Sequence, residues 1–527
     1  MKHLITSYLI LASVLSASLG WAQSVPGATE RVLVSVPQGM RSGPFNTDRY
    51  VTVPKHFALS VYARVAGARF MAIAPNGDLL VSVPGQGRVK LVRPNGTGAP
   101  MITDFVTGLQ RPHDLVFHQI NSTMYLYVAE KNKVSRYTYQ NGDVTGQNRE
   151  VVVDNLPDAS LPELNGNYGH ELKNIALDGQ HNLYISIAST CNACLSDTQS
   201  DPVRGAIYRY TADGKNGRLF ARGLRNAEGL AFLPGTNELW VTVNNRDQIK
   251  YPYNDNTGNY GKIIPSFVDN NPPEEFTKVR DGGNYGWPFC NPNLKEGYDN
   301  LPFGPDYDLN RQNTVDCGTM DRISKGIAAH SAPLGFIFTQ GTALPAPYNK
   351  GAILALHGSW NRTKKTGYKV IYFPWNEATQ TPGPQVSLVD HILDQDSASA
   401  WARPVDVAVD LQGNLLISDD QSGTIFKLSY QDPLLVKGDQ EESPWLSVAP
   451  VPAQKSTTVT IQTIRSTRAT VKLMNLQGAQ IWESSYSLQA GTNKLPLNTQ
   501  PFANGMYILQ VIAPEFKGAK RLCILKE

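Results

Sequence analysis

Six times along this chain a short apolar segment is followed by a turn and a second apolar segment, with an Arg or a His just before the first. Arg69 precedes the pair 71–74 and 79–83; Arg111 and His113 precede 115–117 and 124–128; His170 precedes 174–178 and 183–187. Arg225 and Asn226 precede 229–232 and 238–243; His330 precedes 333–338 and 351–356; Arg403 precedes 406–410 and 413–418. Period-2 apolar segments rich in Val, Ile, Leu, Phe and Tyr, joined by Gly/Asn/Asp turns, are strand hairpins. Their spacing, roughly 40 to 100 residues, exceeds one hairpin and suits four-stranded antiparallel blades with insertions. The chain is therefore expected to be all-β, with a six-bladed β-propeller over residues 45–430.

The remaining segments fit around that core. With 44 Gly and 35 Pro in 527 residues, tight turns are plentiful. The longest interval between cassettes holds the polar stretch 244–321, rich in Asn, Pro and Gly, which is expected to form a lid or pocket wall. Residues 431–443 read as a polar linker. Residues 444–527 carry their own strand pattern at 457–461, 470–474, 507–511 and 521–526, and predict a small β-sandwich-like domain. From Ser443 onward there are nine Lys/Arg against three Glu, so the rest of the chain is slightly acidic, at 39 against 42. A net charge of +3 with no basic stripe gives no footing for nucleic-acid binding.

Lys2 and His3, an apolar run over 4–19, and small residues at Gly20 and Ala22 read as a secretory signal peptide, 1–22. That run is too short and interrupted for a membrane anchor, and no later stretch approaches spanning length. The mature protein is expected to be exported, with no membrane span. Five cysteines suit an oxidising compartment. Cys191-Asn-Ala-Cys194 could close a short-range disulfide and Cys290 with Cys317 a second; a metal reading of the first pair lacks the second pair it would need.

In a propeller all innermost strands share a direction, so residues just before them gather at one mouth of the channel. Arg69, Arg111 or His113, His170, Arg225, His330 and Arg403 would then ring a single pocket. Several guanidiniums around one cavity predict a polyanionic ligand, because the Arg fork matches carboxylate or phosphate. No Gly-rich phosphate loop is present, so a multi-carboxylate cofactor fits better than a nucleotide. His170, among cations, is expected to stay neutral near pH 7 and to serve as a general base toward a substrate hydroxyl; the alternative is a structural histidine bonded to backbone. Asn244-Asn245-Arg246-Asp247 offers exposed carbonyls and a carboxylate for a hard cation such as calcium.

Gly223-Leu-Arg-Asn-Ala-Glu-Gly-Leu-Ala-Phe232 and Arg280-Asp-Gly-Gly-Asn-Tyr-Gly-Trp-Pro288 resemble the soluble quinoprotein glucose/sorbosone dehydrogenase family. So do His330-Ser-Ala-Pro-Leu-Gly335, Leu356-His-Gly-Ser-Trp-Asn-Arg362 with Gly367-Tyr-Lys-Val370, Arg403-Pro-Val-Asp-Val407 and Ser418-Asp-Asp-Gln-Ser-Gly-Thr-Ile425. Cys191-Asn-Ala-Cys194 points to the sorbosone dehydrogenase-like branch. The resemblance implies a propeller that binds pyrroloquinoline quinone (PQQ), a tricarboxylate, together with calcium. It implies that His170 is the base and that Arg225 polarises the quinone carbonyl, supported by Asn226. Arg362 and Arg403 would bind cofactor carboxylates, Trp360 would wall the pocket, and Asn245, Arg246 and Asp247 would hold calcium. Where the family commonly has an Arg three residues after the base, this chain has Lys173.

The implied activity is oxidation of a sugar or sugar-derived aldehyde, with electrons passed to an external acceptor. A metal-dependent lactonase-like hydrolase and a noncatalytic carbohydrate-binding propeller are the alternatives. Val448-Ala-Pro-Val-Pro-Ala453, Asn475-Leu-Gln-Gly478, Gly491-Thr-Asn-Lys-Leu495 and Gly505-Met-Tyr-Ile-Leu509 resemble the type A sorting domain of type IX secretion. That resemblance implies passage to the cell surface or medium by the type IX machinery, with removal of the module and of Cys523 with it.

Overall fold

The computed structural model describes residues 27–96, 98–394, 398–431, 445–475 and 479–526. The expected signal peptide 1–22, nearly all of the linker 431–443 and residues 476–478 of the Asn475–Gly478 motif lie outside them. Two compact units divide the chain, Met1–Ser429 and Tyr430–Glu527.

Six sheets of the first unit each start with one of the six cassettes; two small two-stranded sheets, Thr29–Leu33 with Tyr50–Pro54 and Cys290–Pro292 with Phe303–Pro305, accompany them. Of the six, the first holds Met71–Ile73, Leu79–Val83, Arg88–Asn95 and Gly98–Val106; the second holds Leu115–Ile120, Thr123–Ala129, Val134–Tyr139 and Gln147–Val153. The third runs Ile175–Leu177, Asn182–Ile187, Ala206–Thr211 and Arg218–Arg222, with Gly283–Asn284 added in parallel at its edge. The fourth runs Ala227–Phe232, Leu239–Val243, Glu274–Val279, Ile323–Ile327 and Asp299–Leu301. In the fifth, Pro333–Phe338, Gly351–Leu356 and Lys369–Asn376 are followed by Thr381–Pro382 and Val386–Val389, both paired with Lys369–Asn376. The sixth joins Pro404–Val409, Leu415–Asp419 and Thr424–Tyr430 to Phe57–Arg64, a strand from the other end of the unit.

The first strands of these sheets pack against one another in cyclic order, from the first sheet through the sixth and back to the first. The second strands are sandwiched between neighbouring sheets, so Leu79–Val83, Leu239–Val243 and Gly351–Leu356 are buried at every position. A continuous apolar run, rather than an alternating one, is what such a strand needs. Backbone groups on the free edge of each first strand need partners, since an orphaned buried group costs about 1–3 kcal/mol. Side chains from adjacent sheets supply several. Ser186 Oγ donates to Ala227 O at 2.7 Å, Thr242 Oγ1 to Leu334 O at 2.6 Å, and Ser418 Oγ to Arg69 O at 2.6 Å. Asp114 accepts from Ile175 N at 2.9 Å and Asp406 from Met71 N at 2.8 Å.

The polar stretch 244–321 is not one long loop. It contributes the Glu274–Val279 strand to the fourth sheet and Gly283–Asn284 to the third. Its apolar contribution is sparse, but Glu274–Val279 is buried at every position except Lys278, with Phe276 and Val279 in the core. The rest is fastened by the Cys290–Cys317 disulfide and by Arg246, which ion-pairs with Asp306 and Asp308.

The second unit has two sheets. One orders Leu446–Ala449, Ser456–Thr463 and Gly491–Asn498; the other orders Gln480–Leu488, Thr467–Asn475, Gly505–Ile512 and Lys517–Ile524. Alternation along Ser456–Thr463 sends Thr457, Val459 and Ile461 inward, and Leu473, Leu509, Val511 and Leu522 belong to the same core. Among the described residues, no helix is long and apolar enough to cross a membrane.

Candidate functional site

Antiparallel pairing brings the residue before each first strand to the same end of its sheet as the residue after the second strand. At that end, hydrogen bonds link neighbouring sheets around the ring. Arg69 meets His113 of the second sheet at 3.2 Å and Asp420 of the sixth at 2.6 Å. Asp420 also accepts from His357 of the fifth sheet at 2.9 Å, and Arg403 Nε and Nη2 donate to the carbonyls of His357 and Gly358, each at 3.1 Å. Asn361 and His330, both of the fifth sheet, lie 3.5 and 3.4 Å from Asp247 of the fourth. Arg225 of the fourth sheet is held by Asn192 of the third, and Arg111 of the second pairs with Glu171 of the third at 2.6 Å.

His170 and Arg225 both meet Ser189 on this rim, the latter through its carbonyl, which accepts from Ser189 N at 2.8 Å. His170 Nδ1 lies 2.9 Å from the Ser189 carbonyl and 3.0 Å from Ser189 Oγ. Burial, reinforced by the charge of Arg225, drives the imidazole pKa down to about 4, so the ring is neutral at pH 7. Arg225 is buried; its Nε reaches Asn192 O at 3.1 Å, Nη1 reaches Asn244 O at 3.3 Å, and Nη2 reaches Asn192 Oδ1 at 3.1 Å and Asp247 at 3.4 Å. Burial tends to raise the Asp247 pKa, but the His330 hydrogen bond and Arg225 outweigh it and keep the carboxylate ionised.

The turn after the fourth second strand is closely fixed. Asn245 is buried, its backbone N donating to Glu274 at 2.6 Å and its Nδ2 to Pro273 O at 2.7 Å and Glu275 at 3.0 Å. Arg246 points its guanidinium away, into Asp306 and Asp308. The carbonyls of Asn244 and Asp247 accept from Arg225 and Asn192, whereas those of Asn245 and Arg246 accept no hydrogen bond among the described residues. Among the described residues, no group of three or more His, Cys, Asp or Glu side chains has metal-binding geometry. A cation at this turn would rest on backbone oxygens.

The other residues singled out from the sequence are distributed unevenly. Asn226 bonds Glu228 of its own strand at 3.0 Å. Trp360 is 69% exposed. Arg362 Nη1 bonds the carbonyls of Asp269 and Ala329, remote in sequence, and does not bond Arg403 or its partners. His113 is fully buried beneath the rim, its ring 4.6 Å from that of Phe70, and burial drives its pKa well below the ordinary value. Arg111 is more than half exposed. Lys173 is buried, donates to the Glu171 carbonyl and lies over the Tyr168 ring, with its pKa lowered by burial to about 7.

Ser189, Asn192, His357 and Asp420 also belong to this rim, and no local motif in the sequence marks them as such. They follow second strands, and hairpin pairing brings them to the same end as Arg225 and His170. Trp287 joins them from the Gly-Gly-Asn-Tyr-Gly-Trp-Pro segment. Trp287 Nε1 donates to Asn192 O at 3.1 Å, and Trp287 N donates to Gly223 O at 3.1 Å, two residues before Arg225. Gly223 has φ +78°, and a Cβ there would lie 2.6 Å from Gly286 N. Only glycine allows the Gly-Gly-Asn-Tyr-Gly-Trp-Pro segment to come so close.

Unmet bonding capacity at this rim is of two kinds. Arg69 Nη2 and Arg403 Nη1 have no protein acceptor among the described residues, and two carbonyls of the 244–247 turn are free. Guanidinium forks suit carboxylates, and carbonyl oxygens suit a hard cation. The donor set therefore fits a polycarboxylate and calcium.

The sequence pattern described as TrAA12-like matches residues 52–431. The chain belongs to the TrAA12-like family. This is a family of PQQ-dependent sugar dehydrogenases, in agreement with the quinoprotein resemblance of the sequence. Residues 447–525 match the secretion system C-terminal sorting domain, so this TrAA12-like protein also carries a type IX sorting module. The holo PQQ domain of a pyranose dehydrogenase from Coprinopsis cinerea superimposes with a TM-score of 0.61 at 19% identity, covering 75% of this chain and 100% of that one. The calcium structure of a Trichoderma reesei family AA12 protein does so with 0.60 at 19% identity, covering 72% and 97%. At that identity the likeness is one of fold. An uncharacterized protein of Borreliella burgdorferi is 26% identical over 275 residues, which span 52% of this chain and 64% of that relative.

Proposed function

We propose that this TrAA12-like protein is an exported, PQQ- and calcium-dependent dehydrogenase that oxidises a sugar or sugar-derived aldehyde of the aldose or sorbosone type. Its six sheets act as blades of a propeller, and the ends of their first strands make the site. The observation that carries the reading is the pairing of a neutral, partly buried imidazole, His170, with a buried and fully oriented guanidinium, Arg225.

His170 holds the proton of Nδ1 on Ser189, so Nε2 has the lone pair that takes a proton from the substrate hydroxyl. Arg225 presents positive charge beside the reacting oxygens without having to reorient, because its fork is already engaged. Arg69 and Arg403 would anchor carboxylates through their free Nη atoms, and the backbone carbonyls of Asn245 and Arg246 would hold the cation, with the Asp247 carboxylate adding negative charge beside it. When bound, the quinone serves as the two-electron acceptor and calcium as the Lewis acid that makes it more electrophilic. An external acceptor would take up the electrons. Trp360, exposed beside Asn361, bounds the substrate side. The N-terminal signal peptide and the type IX module together direct the protein to the cell surface or medium.

Purified full-length protein, mixed with the quinone and calcium, should reduce an electron-accepting dye in the presence of aldoses or sorbosone. Absence of quinone binding at micromolar concentration would overturn the reading. Lactone or ester hydrolysis that persists without quinone would favour a hydrolase instead.

A further inference from the structure

The Cys191–Cys194 disulfide closes a small ring that contains Asn192. Nearly every polar atom of Asn192 is spent on the site. Its Oδ1 accepts from Arg225 Nη2 at 3.1 Å and from Asp247 N at 2.8 Å. Its Nδ2 donates to Asp247 O at 2.8 Å, and its carbonyl accepts from Arg225 Nε and Trp287 Nε1, both at 3.1 Å. The same loop reaches the base, because Ser189 Oγ, which lies beside His170 Nδ1, donates to the Cys191 carbonyl at 2.9 Å.

We infer that Asn192, held in the disulfide ring, is the positioning residue that sets Arg225 against His170 on one side and Asp247 on the other. The inference rests on the dehydrogenase reading for its consequence in catalysis, though not for the positioning itself. Two of the four acceptors around Arg225 come from Asn192, and a third, Asp247, is too distant at 3.4 Å to orient the fork alone. An unrestrained Arg side chain samples many rotamers, so losing those acceptors frees the guanidinium to wander. The amide suits the role chemically. It accepts from Arg225 and donates to Asp247 O while adding no negative charge, so the charge of Arg225 remains available to a ligand. Trp287 braces the ring through the same Asn192 carbonyl that Arg225 uses, which gives the Gly-Gly-Asn-Tyr-Gly-Trp-Pro segment a part in the site.

The test uses Asn192→Ala and the double variant Cys191→Ser/Cys194→Ser in the full chain, read in two ways. Histidine-labelled protein without quinone gives the titration midpoint of His170, with the signal assigned by its loss in His170→Asn. Quinone affinity is measured separately by quenching of tryptophan fluorescence. In both variants the His170 midpoint should move up, because the guanidinium is no longer fixed beside it, and quinone binding should weaken by about tenfold or more. The disulfide variant should show the smaller effect, since Asn192 itself remains. A folded Asn192→Ala protein with both quantities within twofold and a few tenths of a pH unit of wild type would overturn the inference. If Asn192→Ala does not fold, the disulfide variant decides by the same readouts. If the wild-type protein binds no quinone, the dehydrogenase reading fails alone, and the His170 midpoint still decides the positioning role.

Discussion

His170 Nδ1 sits 2.9 Å from the carbonyl oxygen of Ser189, an atom that can only accept. Ser189 Oγ, 3.0 Å from the same nitrogen, gives its own proton to the Cys191 carbonyl and is likewise an acceptor toward the ring. Both contacts therefore place the proton on Nδ1. In the neutral ring Nε2 is left as the basic nitrogen, and backbone geometry determines this before any ligand arrives.

Replacing His170 by Ala should lower kcat by about 10²- to 10⁴-fold while quinone binding persists. Because the pKa is pushed down to about 4, the wild-type base stays unprotonated at neutral pH and loses its lone pair only as pH falls through that value. The pH profile of kcat/KM should thus be level from pH 7 to about 5 and decline below. A decline already centred near 6.5 would mean that the base is not depressed.

Glu275 bonds Asn245 Nδ2 through one oxygen, its other oxygen has no partner, and burial pushes its pKa up to about 8. In the folded state it keeps a proton that the unfolded chain loses near 4.5. Stability is consequently lost as pH rises from about 4.5 toward 8. Glu275→Gln retains the acceptor and removes that linkage, so the fall in Tm between pH 5 and pH 8 should be smaller in the variant. Equal falls in the two proteins would refute the protonated state.

Arg246 neutralises Asp306, which is fully buried and also accepts from Asn291 at 2.9 Å. Arg246→Ala strands that charge and should cost about 3–5 kcal/mol, seen in denaturant unfolding. It should also loosen the 244–247 turn, so that more calcium is needed for half-maximal quinone-dependent activity. Chelation of calcium from the wild-type protein should abolish that activity, and readdition should restore it.

The two disulfides should differ in what they stabilise. Cys290 and Cys317 are 27 residues apart, and loop-closure entropy for that span is about 3–4 kcal/mol, against about 2 kcal/mol for the ring at Cys191. Cys290→Ser/Cys317→Ser should therefore lower Tm more than the equivalent change at Cys191 and Cys194, while disturbing quinone binding less.

Deletion of residues 444–527 should leave a folded first unit that accumulates inside the outer membrane of a host with the type IX machinery. Fractionation and immunoblotting would show it, and unchanged export would remove the sorting role.

What the chain announces on its own is local. Hairpins such as Met71–Ile73 with Leu79–Val83 follow from apolar runs and turn residues only a few positions apart, and the Arg or His before each first strand can be read with them. His170, Arg225 and Arg403 were legible for that reason, as was the separate strand pattern of the terminal unit. The closure of the sixth sheet by Phe57–Arg64 was not, because that strand pairs with partners more than 350 residues away and has no local mark of doing so. The same limit applies to the site. Asn192 acquires a role only when the third sheet is packed against the fourth, and Asp420 only when the sixth meets the first and the fifth. Arg362 turning to Asp269, and Arg246 to Asp306, are choices among partners that the fold alone brings within reach. Residue type and spacing determined which side chains could bind an anion or take a proton. Packing between sheets decided which of them share a site, because hydrogen-bond partners are selected by distance in space.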